Sequence, residues 1–311
     1  MIICLGTTPA IQRSMTFASL HVDSVNRATR VTQSASGKAL NATRVVHTLG
    51  ETVIATGFIG GDAAAFIRKD LDASRIPHDF VEVEPTTRTC VTLIDEGART
   101  ATELIEESKQ VEPKAWQHLF EKLETLLPSA RVLVLSGTLT PGAPQDFYAQ
   151  CVRQASPHGV KTIVDATGEP LRQALAARPY IVKPNRSEIG KTLGVDTSAD
   201  DGLRDAMKQL AAMGAEWVVV TMGSEGVMVS DGNAFWRVSV RHVDVVSPIG
   251  SGDSFAAGLA VGLLRGQPVN EACILATACG AANAMTPVPG FVRRQDVERL
   301  QRTITAAVVS S

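Results

Sequence analysis

The chain lacks an excess of either charge: 30 Lys and Arg stand against 32 Asp and Glu, for a net charge of −2. That balance gives no global attraction to nucleic acid or to an anionic membrane, so any anion the protein binds is held locally. Long apolar runs are also missing. Stretches such as Val132 to Leu135 and Trp217 to Val220 have the length of strands, far short of the ~20 residues of a membrane span. Cysteine is sparse and unpatterned: five residues, Cys4, Cys90, Cys151, Cys273 and Cys279, with no Cys-x-x-Cys spacing. An odd count without that spacing argues against a disulfide framework or a zinc site and fits reduced, buried thiols. The first residues, Met-Ile-Ile-Cys-Leu-Gly, carry no basic segment and no cleavage site of an export signal, so the expected location is the cytoplasm. No Gly-x-Gly-x-x-Gly follows the first apolar run, where a dinucleotide-binding dehydrogenase needs it. Repeats, low-complexity tracts and long linkers are absent too, and the 311 residues read as one folding unit with a sizeable core.

What is present is alternation. Ile2 to Leu5, Val53 to Phe58, Arg131 to Leu135, Thr162 to Asp165, Tyr180 to Val182 and Trp217 to Val220 read as strands. Lys38 to Leu49, Asp62 to Ser74, Pro113 to Leu126, Gln145 to Ala155, Asp201 to Met213 and Ser251 to Arg265 read as helices, and Glu271 to Ala284 is an Ala-rich helical stretch. The pattern requires crossovers, hence a doubly wound α/β core with a mainly parallel sheet and helices on both faces. Ligands of such sheets bind beyond the carboxyl ends of the strands, where Asp165, Lys183 and Thr221 fall. Two segments, about 11–32 and 86–105, carry short β-like runs with no helix between them and read as a small second sheet.

The run Ser247-Pro-Ile-Gly-Ser-Gly-Asp-Ser-Phe-Ala-Ala-Gly258 puts a glycine-hinged loop and one carboxylate at the mouth of an apolar helix. Gly250 and Gly252 free the backbone to turn its N–H groups outward, and the positive helix end favours an anion there. Asp253 beside that anion suits a base that takes a proton from an attacking hydroxyl, with the backbone of Gly250, Ser251 and Gly252 stabilising the transferred group. An ordinary glycine turn capped by Ser251 is the structural alternative.

Four further motifs stand with that loop: Ser36-Gly-Lys-Ala-Leu-Asn41, Leu135-Ser-Gly-Thr-Leu-Thr-Pro-Gly142, Lys183-Pro-Asn-Arg-Ser-Glu188 and Thr221-Met-Gly-Ser-Glu-Gly226. In this order the five resemble the ribokinase and phosphofructokinase-B family of sugar kinases, from Cys4 to about Arg294. Val22-Asp-Ser-Val-Asn-Arg27, Thr87-Arg-Thr-Cys90 and Lys38 look most like its phosphosugar branch, 1-phosphofructokinase and tagatose-6-phosphate kinase. The resemblance implies a ribokinase-like fold over 1–311 with the small sheet as a discontinuous lid, ATP and Mg²⁺ as cofactors, and a sugar or sugar-phosphate acceptor. With the balanced charge no nucleic-acid or membrane partner is expected, and a homodimer through the lid stays open.

Residue by residue, the resemblance assigns the donor side to Lys183, Asn185, Glu188, Thr221, Gly223, Gly226 and Asn283. Asn185 and Glu188 would hold Mg²⁺ and phosphate, Glu188 through ordered water; as a helix start they also fit a cap and its capping-box partner. Lys183 either reaches phosphate or snorkels to solvent, and Gly223 to Gly226 doubles as a hairpin turn. Adenine is expected near Val246 to Pro248 and Ala281 to Asn283. The acceptor side falls to Gln12, Gly37, Lys38, Asn41 and Ser136, with Arg27, Lys38 and Arg88 gripping a phosphate already on the sugar. Arg27 and Arg88 as plain surface charges are the alternative.

Three positions depart from the family pattern. Gln12 stands where an aspartate is usual, bringing an N–H₂ donor and no charge, and Ser36 and Ala39 replace glycines, adding volume beside the sugar. If the Gln12 N–H₂ meets the acceptor, it suits a carbonyl, carboxylate or phosphate oxygen. The reading is an ATP-dependent kinase of a sugar phosphate. A kinase of an unphosphorylated sugar or nucleoside, and a non-catalytic sensor that kept the fold, stay open; the acceptor panel on which ATP turns over separates them.

Overall fold

The computed structural model describes residues 1–240 and 242–309. The chain opens with β1 (Ile2–Gly6), β2 (Ala10–Phe17), β3 (Arg30–Ser36), α1 (Lys38–Thr48), β4 (Val53–Gly60), α2 (Gly61–Ala73) and β5 (Val81–Val83). It continues through β6 (Thr89–Asp95), β7 (Thr100–Ile105), α3 (Pro113–Leu126), β8 (Val132–Ser136), α4 (Phe147–Ala155), β9 (Lys161–Asp165), α5 (Gly168–Leu175) and β10 (Ile181–Val182). Then come α6 (Arg186–Leu193), α7 (Asp200–Ala212), β11 (Trp217–Thr221), β12 (Val227–Ser230), β13 (Phe235–Val238), α8 (Ser251–Leu264), α9 (Val269–Ala284), α10 (Arg294–Gln301) and β14 (Ala306–Val309).

Ten strands form one sheet in the order β14-β13-β12-β11-β10-β9-β8-β1-β4-β5. From β5 to β11 every pairing is parallel; the hairpin after β11 turns the remaining edge antiparallel. The period of two decides which helix layer each side chain meets. Ile2 and Cys4 of β1 pack beneath α1, α8 and α9, whereas Ile3 and Leu5 pack under α3, α4, α5 and α7 on the other face. The expected doubly wound core is therefore present. Helix α8 is apolar all round because it is buried from Asp253 to Leu263, with α9 against it.

Strands β3-β2-β6-β7 make the second sheet. Its first hairpin is longer than the sequence suggests: pairing runs from Thr16↔Arg30 to Ala10↔Ser36, so β3 reaches the substrate-loop motif itself. Gly37, at φ 107°, ends it. A Cβ at Gly37 would lie 2.9 Å from Pro9 Cα, so both the turn and the close approach of the two segments require glycine. The expected helix from Gln145 begins at Phe147, after a turn closed by the Phe147 amide on the Pro144 carbonyl at 3.0 Å. All five cysteines are buried and free. Among the described residues no helix is long and apolar enough to cross a membrane.

Candidate active site

Strands β8, β9, β10 and β11 end on the same side of the large sheet, and the N-terminus of α8 meets them there. Gly250 caps α8 with φ 82°, and a Cβ on it would lie 2.8 Å from Gly290 N. The Ser251 amide donates to the Pro248 carbonyl at 3.2 Å, which removes it from the expected anion hole. The amides of Gly250 and Gly252, for which no protein partner is found among the described residues, are the open donors at the positive helix end.

Asp253 lies in the first turn of α8 and is 8% exposed. Its Oδ2 accepts from Asn41 Nδ2 at 2.7 Å, and Asn41 Oδ1 accepts from Ser36 Oγ at 2.8 Å. Burial pushes the Asp253 carboxyl up, to about 6; Lys38, the Asn41 bond and Lys183 pull it down, while Asp165 adds to the rise. Such a carboxyl is ionised at neutral pH yet basic enough to take a proton in a transition state.

Asp165, at the end of β9, is 1% exposed. One of its oxygens lies 3.3 Å from Lys38 Nζ and the other 3.3 Å from Lys183 Nζ. Burial raises the Asp165 carboxyl, but the ammonium groups of Lys183 and Lys38 outweigh it and leave the group below the usual aspartate value. Asp165 in turn holds Lys38 above the ordinary lysine value against the opposing effect of burial. Lys183 is buried against this partner, so it does not snorkel to solvent.

A cleft of about 400 Å³ lies between Asp253, Asn41 and Lys38 on the core side and Gln12, Arg88 and Cys90 of the small sheet. Gln12 is buried and its Nε2 donates to Thr92 Oγ1 at 2.8 Å. One amide donor is thus spent on the neighbouring strand, which narrows the expectation that the N–H₂ serves the acceptor. Arg88 donates to the carbonyls of Thr8 and Glu106, both at 3.2 Å, and its Nε is buried without a protein partner. Ser136 is likewise buried with an unpartnered hydroxyl, beside Gly37 and Lys38. Arg27 does not join them: it is exposed in the loop between β2 and β3, away from the cleft lining of its own chain.

On the donor side Asn185 and Glu188 form the capping box of α6, each side chain accepting the other's backbone N–H at 2.8 Å. One oxygen of Glu188 is spent in that bond. Thr221 is bridged to Asn185, its amide donating to the Pro184 carbonyl at 3.2 Å. Gly223 and Gly226, both at positive φ, flank a single 3₁₀ turn that joins β11 to the antiparallel β12, so the loop is also the hairpin it looked like. Asn283, expected on the donor side, is enclosed in protein contacts. It is 0% exposed; its Nδ2 donates to the Ile249 carbonyl at 2.8 Å and Ser251 Oγ at 3.3 Å, and its Oδ1 accepts from Gly290 N at 2.8 Å and Ser254 Oγ at 3.2 Å. With its polar capacity committed, Asn283 ties the loop before α8 to the segment at Gly290. The expected adenine region is tied down nearby, where the amides of Val246 and Ser247 both donate to the Ala284 carbonyl.

Sequence reasoning noted Asp165 only as a strand end and Ser36 only as added volume. The pair follows from strand order: β9 and β10 are parallel with Val164 beside Val182, so the next residue on each, Asp165 and Lys183, are neighbours. Glu103, on the cleft wall, was not singled out; burial raises its carboxyl.

With this geometry in view, the chain matches the pfkB family of carbohydrate kinases over residues 1–289. It is 34% identical over 307 residues to a tagatose-6-phosphate kinase of Staphylococcus epidermidis, covering 98% of each chain. Phosphofructokinase-2 of Escherichia coli, solved with potassium, superposes with a TM-score of 0.90 at 23% identity over 97% of this chain and 98% of that one. Arabidopsis thaliana ribokinase, complexed with ribose and ATP, gives a TM-score of 0.78 at 20% identity over 97% and 98%.

Proposed function

Because the chain belongs to the pfkB family of carbohydrate kinases, a family whose phosphate donor is ATP, we propose that it phosphorylates a hydroxyl of a sugar phosphate of the tagatose 6-phosphate or fructose phosphate kind. The likeness to tagatose-6-phosphate kinase along the whole chain supports that acceptor class. The single observation that carries the reading is Asp253: a buried carboxylate at the positive end of α8, oriented by Asn41, with its proton affinity raised to about 6.

In this reading Asp253 takes the proton of the attacking hydroxyl. The open amides of Gly250 and Gly252 receive the oxygens of the transferred phosphoryl, and Lys183 adds positive charge beside them. Gly37 and Asn41 border the acceptor, Gln12 and Ser136 bond its polar groups, and Lys38 and Arg88 hold its phosphate. The Glu188 oxygen left over from the capping box is a hard donor that fits Mg²⁺ held through water, which would neutralise phosphate charge. The small sheet closes over the acceptor and excludes water, whose attack on ATP is the competing loss.

Val22, Val25, Leu104 and Ile105 are large apolar side chains exposed on the small sheet and its loop. They support a homodimer through the lid. Free buried thiols and an ATP donor are consistent with a reducing cytoplasm.

The test is ADP release from ATP with purified protein over tagatose 6-phosphate, fructose 6-phosphate, fructose 1-phosphate and the corresponding free sugars. Turnover confined to phosphorylated acceptors is expected. Preference for a free sugar removes the phosphate grip from the reading, and no turnover with any acceptor leaves a sensor.

A further inference from the structure

We propose that Asp165 is a positioning residue shared by both halves of the reaction, one buried carboxylate that sets Lys38 on the acceptor side and Lys183 on the donor side of the transferred group. The inference rests on the reading of Asp253 and the Gly250 to Gly252 loop given above. Its basis is the way two cations leave one anion in different directions. Lys38 Nζ is 3.3 Å from Oδ1, its side chain is 39% exposed, and it lines the cleft with Asn41 and Asp253. Lys183 Nζ is 3.3 Å from Oδ2 with its side chain 4% exposed, and it lies 3.9 Å from where a Cβ on Gly252 would be, hence beside the anion loop. Each oxygen of Asp165 thus fixes one ammonium, and neither lysine can take the other's place.

The three elements that supply this triad are held independently of any ligand. Asp165 is paired with Ser136 across the parallel β8, Lys183 follows β10 with its amide on the Val164 carbonyl at 2.9 Å, and Lys38 opens α1 directly after Gly37. A carboxylate shared in this way keeps two ammonium groups at short range that would otherwise repel each other, and it does so before substrate arrives, which is what preorganised charge requires.

Asp253 is faced by the same groups: Lys38 from α1, Asp165 from β9 and Lys183 from the segment after β10, with Glu188 of α6 acting on Lys38 from farther off. Asp165 repels the Asp253 charge and the lysines attract it. Neutralising Asp165 therefore lowers the proton affinity of the base, and neutralising either lysine raises it. Residues that only support the fold have no reason to shift the base in opposite directions according to the sign of the charge removed, down for the carboxylate and up for each lysine.

The experiment compares wild type with Asp165→Asn, Lys38→Gln and Lys183→Gln, measuring KM for ATP, KM for the best phosphosugar and the pH profile of kcat/KM. Asp165→Asn is expected to raise both KM values about tenfold or more, because both charge-assisted contacts lose their orientation, and to move the acid limb to lower pH. Lys38→Gln raises chiefly the acceptor KM and Lys183→Gln chiefly the ATP KM, and both move the acid limb to higher pH. An Asp165→Asn enzyme with wild-type KM values, or with its acid limb unmoved or raised, overturns the proposal. If circular dichroism shows that variant unfolded, the lysine pair decides: two variants that raise the same KM, or that leave the acid limb in place, overturn it. A wild-type protein that turns over no ATP with any acceptor removes the kinase reading and this inference together, whereas an active wild type with indifferent variants removes this inference alone.

Discussion

Replacing Asp253 by Asn should make the protein more stable and almost inactive at once. In the folded chain burial holds the Asp253 carboxyl at about 6 against an ordinary 3.8, so the folded state binds that proton more tightly than the unfolded state does. Above about pH 6 both states are ionised and the folded state carries the whole penalty of a buried charge. As pH falls from about 6 toward 3.8 the folded state protonates first and the penalty is relieved; below 3.8 it is gone. Two pH units at about 1.4 kcal/mol each put the penalty near 3 kcal/mol at pH 8 and roughly half that at pH 5. Asparagine is isosteric, can still accept the Asn41 bond through Oδ1, and carries no charge. Urea unfolding of Asp253→Asn should therefore show a gain of about 1 to 3 kcal/mol at pH 8 that shrinks at pH 5. Steady-state kinetics on the same preparation should show kcat down at least ~10²-fold with ATP binding nearly intact, since base catalysis typically supplies that much. A variant less stable than wild type at pH 8, a gain that does not depend on pH, or turnover near wild type would each refute the reasoning.

Arg88→Ala should raise the acceptor KM far more than the ATP KM, because a cation lining the acceptor cleft is lost; equal effects on the two would contradict the phosphate grip. Gln12→Asp takes a buried donor from Thr92 and sets a charge against the acceptor, so kcat/KM for the native acceptor should fall by about 1 to 3 kcal/mol. An unchanged preference order over a panel of phosphohexoses would show that this position does not select the substrate. Gly250→Ala forces a side chain into the left-handed region and onto Gly290, which should cost at least ~1–2 kcal/mol in thermal or urea unfolding and depress kcat through the anion loop; wild-type stability and turnover would show that the loop tolerates a Cβ.

The core was readable because a parallel sheet buried on both faces writes its strands as short apolar runs, and Ile2, Val53 and Trp217 begin strands where those runs begin. The apolar run begins at Tyr180, yet the Tyr180 amide donates to the Thr162 hydroxyl at 3.1 Å instead of entering the ladder, so β10 has only two residues. Helices α5, α6 and α10 span eight residues each, too short to display a period clearly. The place of Asp253 was legible because Gly-Ser-Gly ahead of an apolar run marks a helix mouth, and the structure puts the carboxylate in the first turn of α8. Asp165 was not, since an ion pair across neighbouring strands appears only once their order is known. For Asn283, no pattern of residues reveals that four hydrogen bonds already occupy the side chain.

The serine at position 36 changes what can be transplanted between relatives. Its hydroxyl fixes which end of the Asn41 amide faces Asp253, so the residues proposed to border the acceptor and the residue proposed to take its proton are joined by two hydrogen bonds. Exchanging the segment 36–41 for that of a relative with glycine at the first position would therefore do more than reshape the acceptor's surroundings. It would release the asparagine to rotate, alter the proton affinity of the base, and shift the pH at which the hybrid works. On the proposed roles, selectivity and the pH of catalysis would not be separate cassettes in this protein.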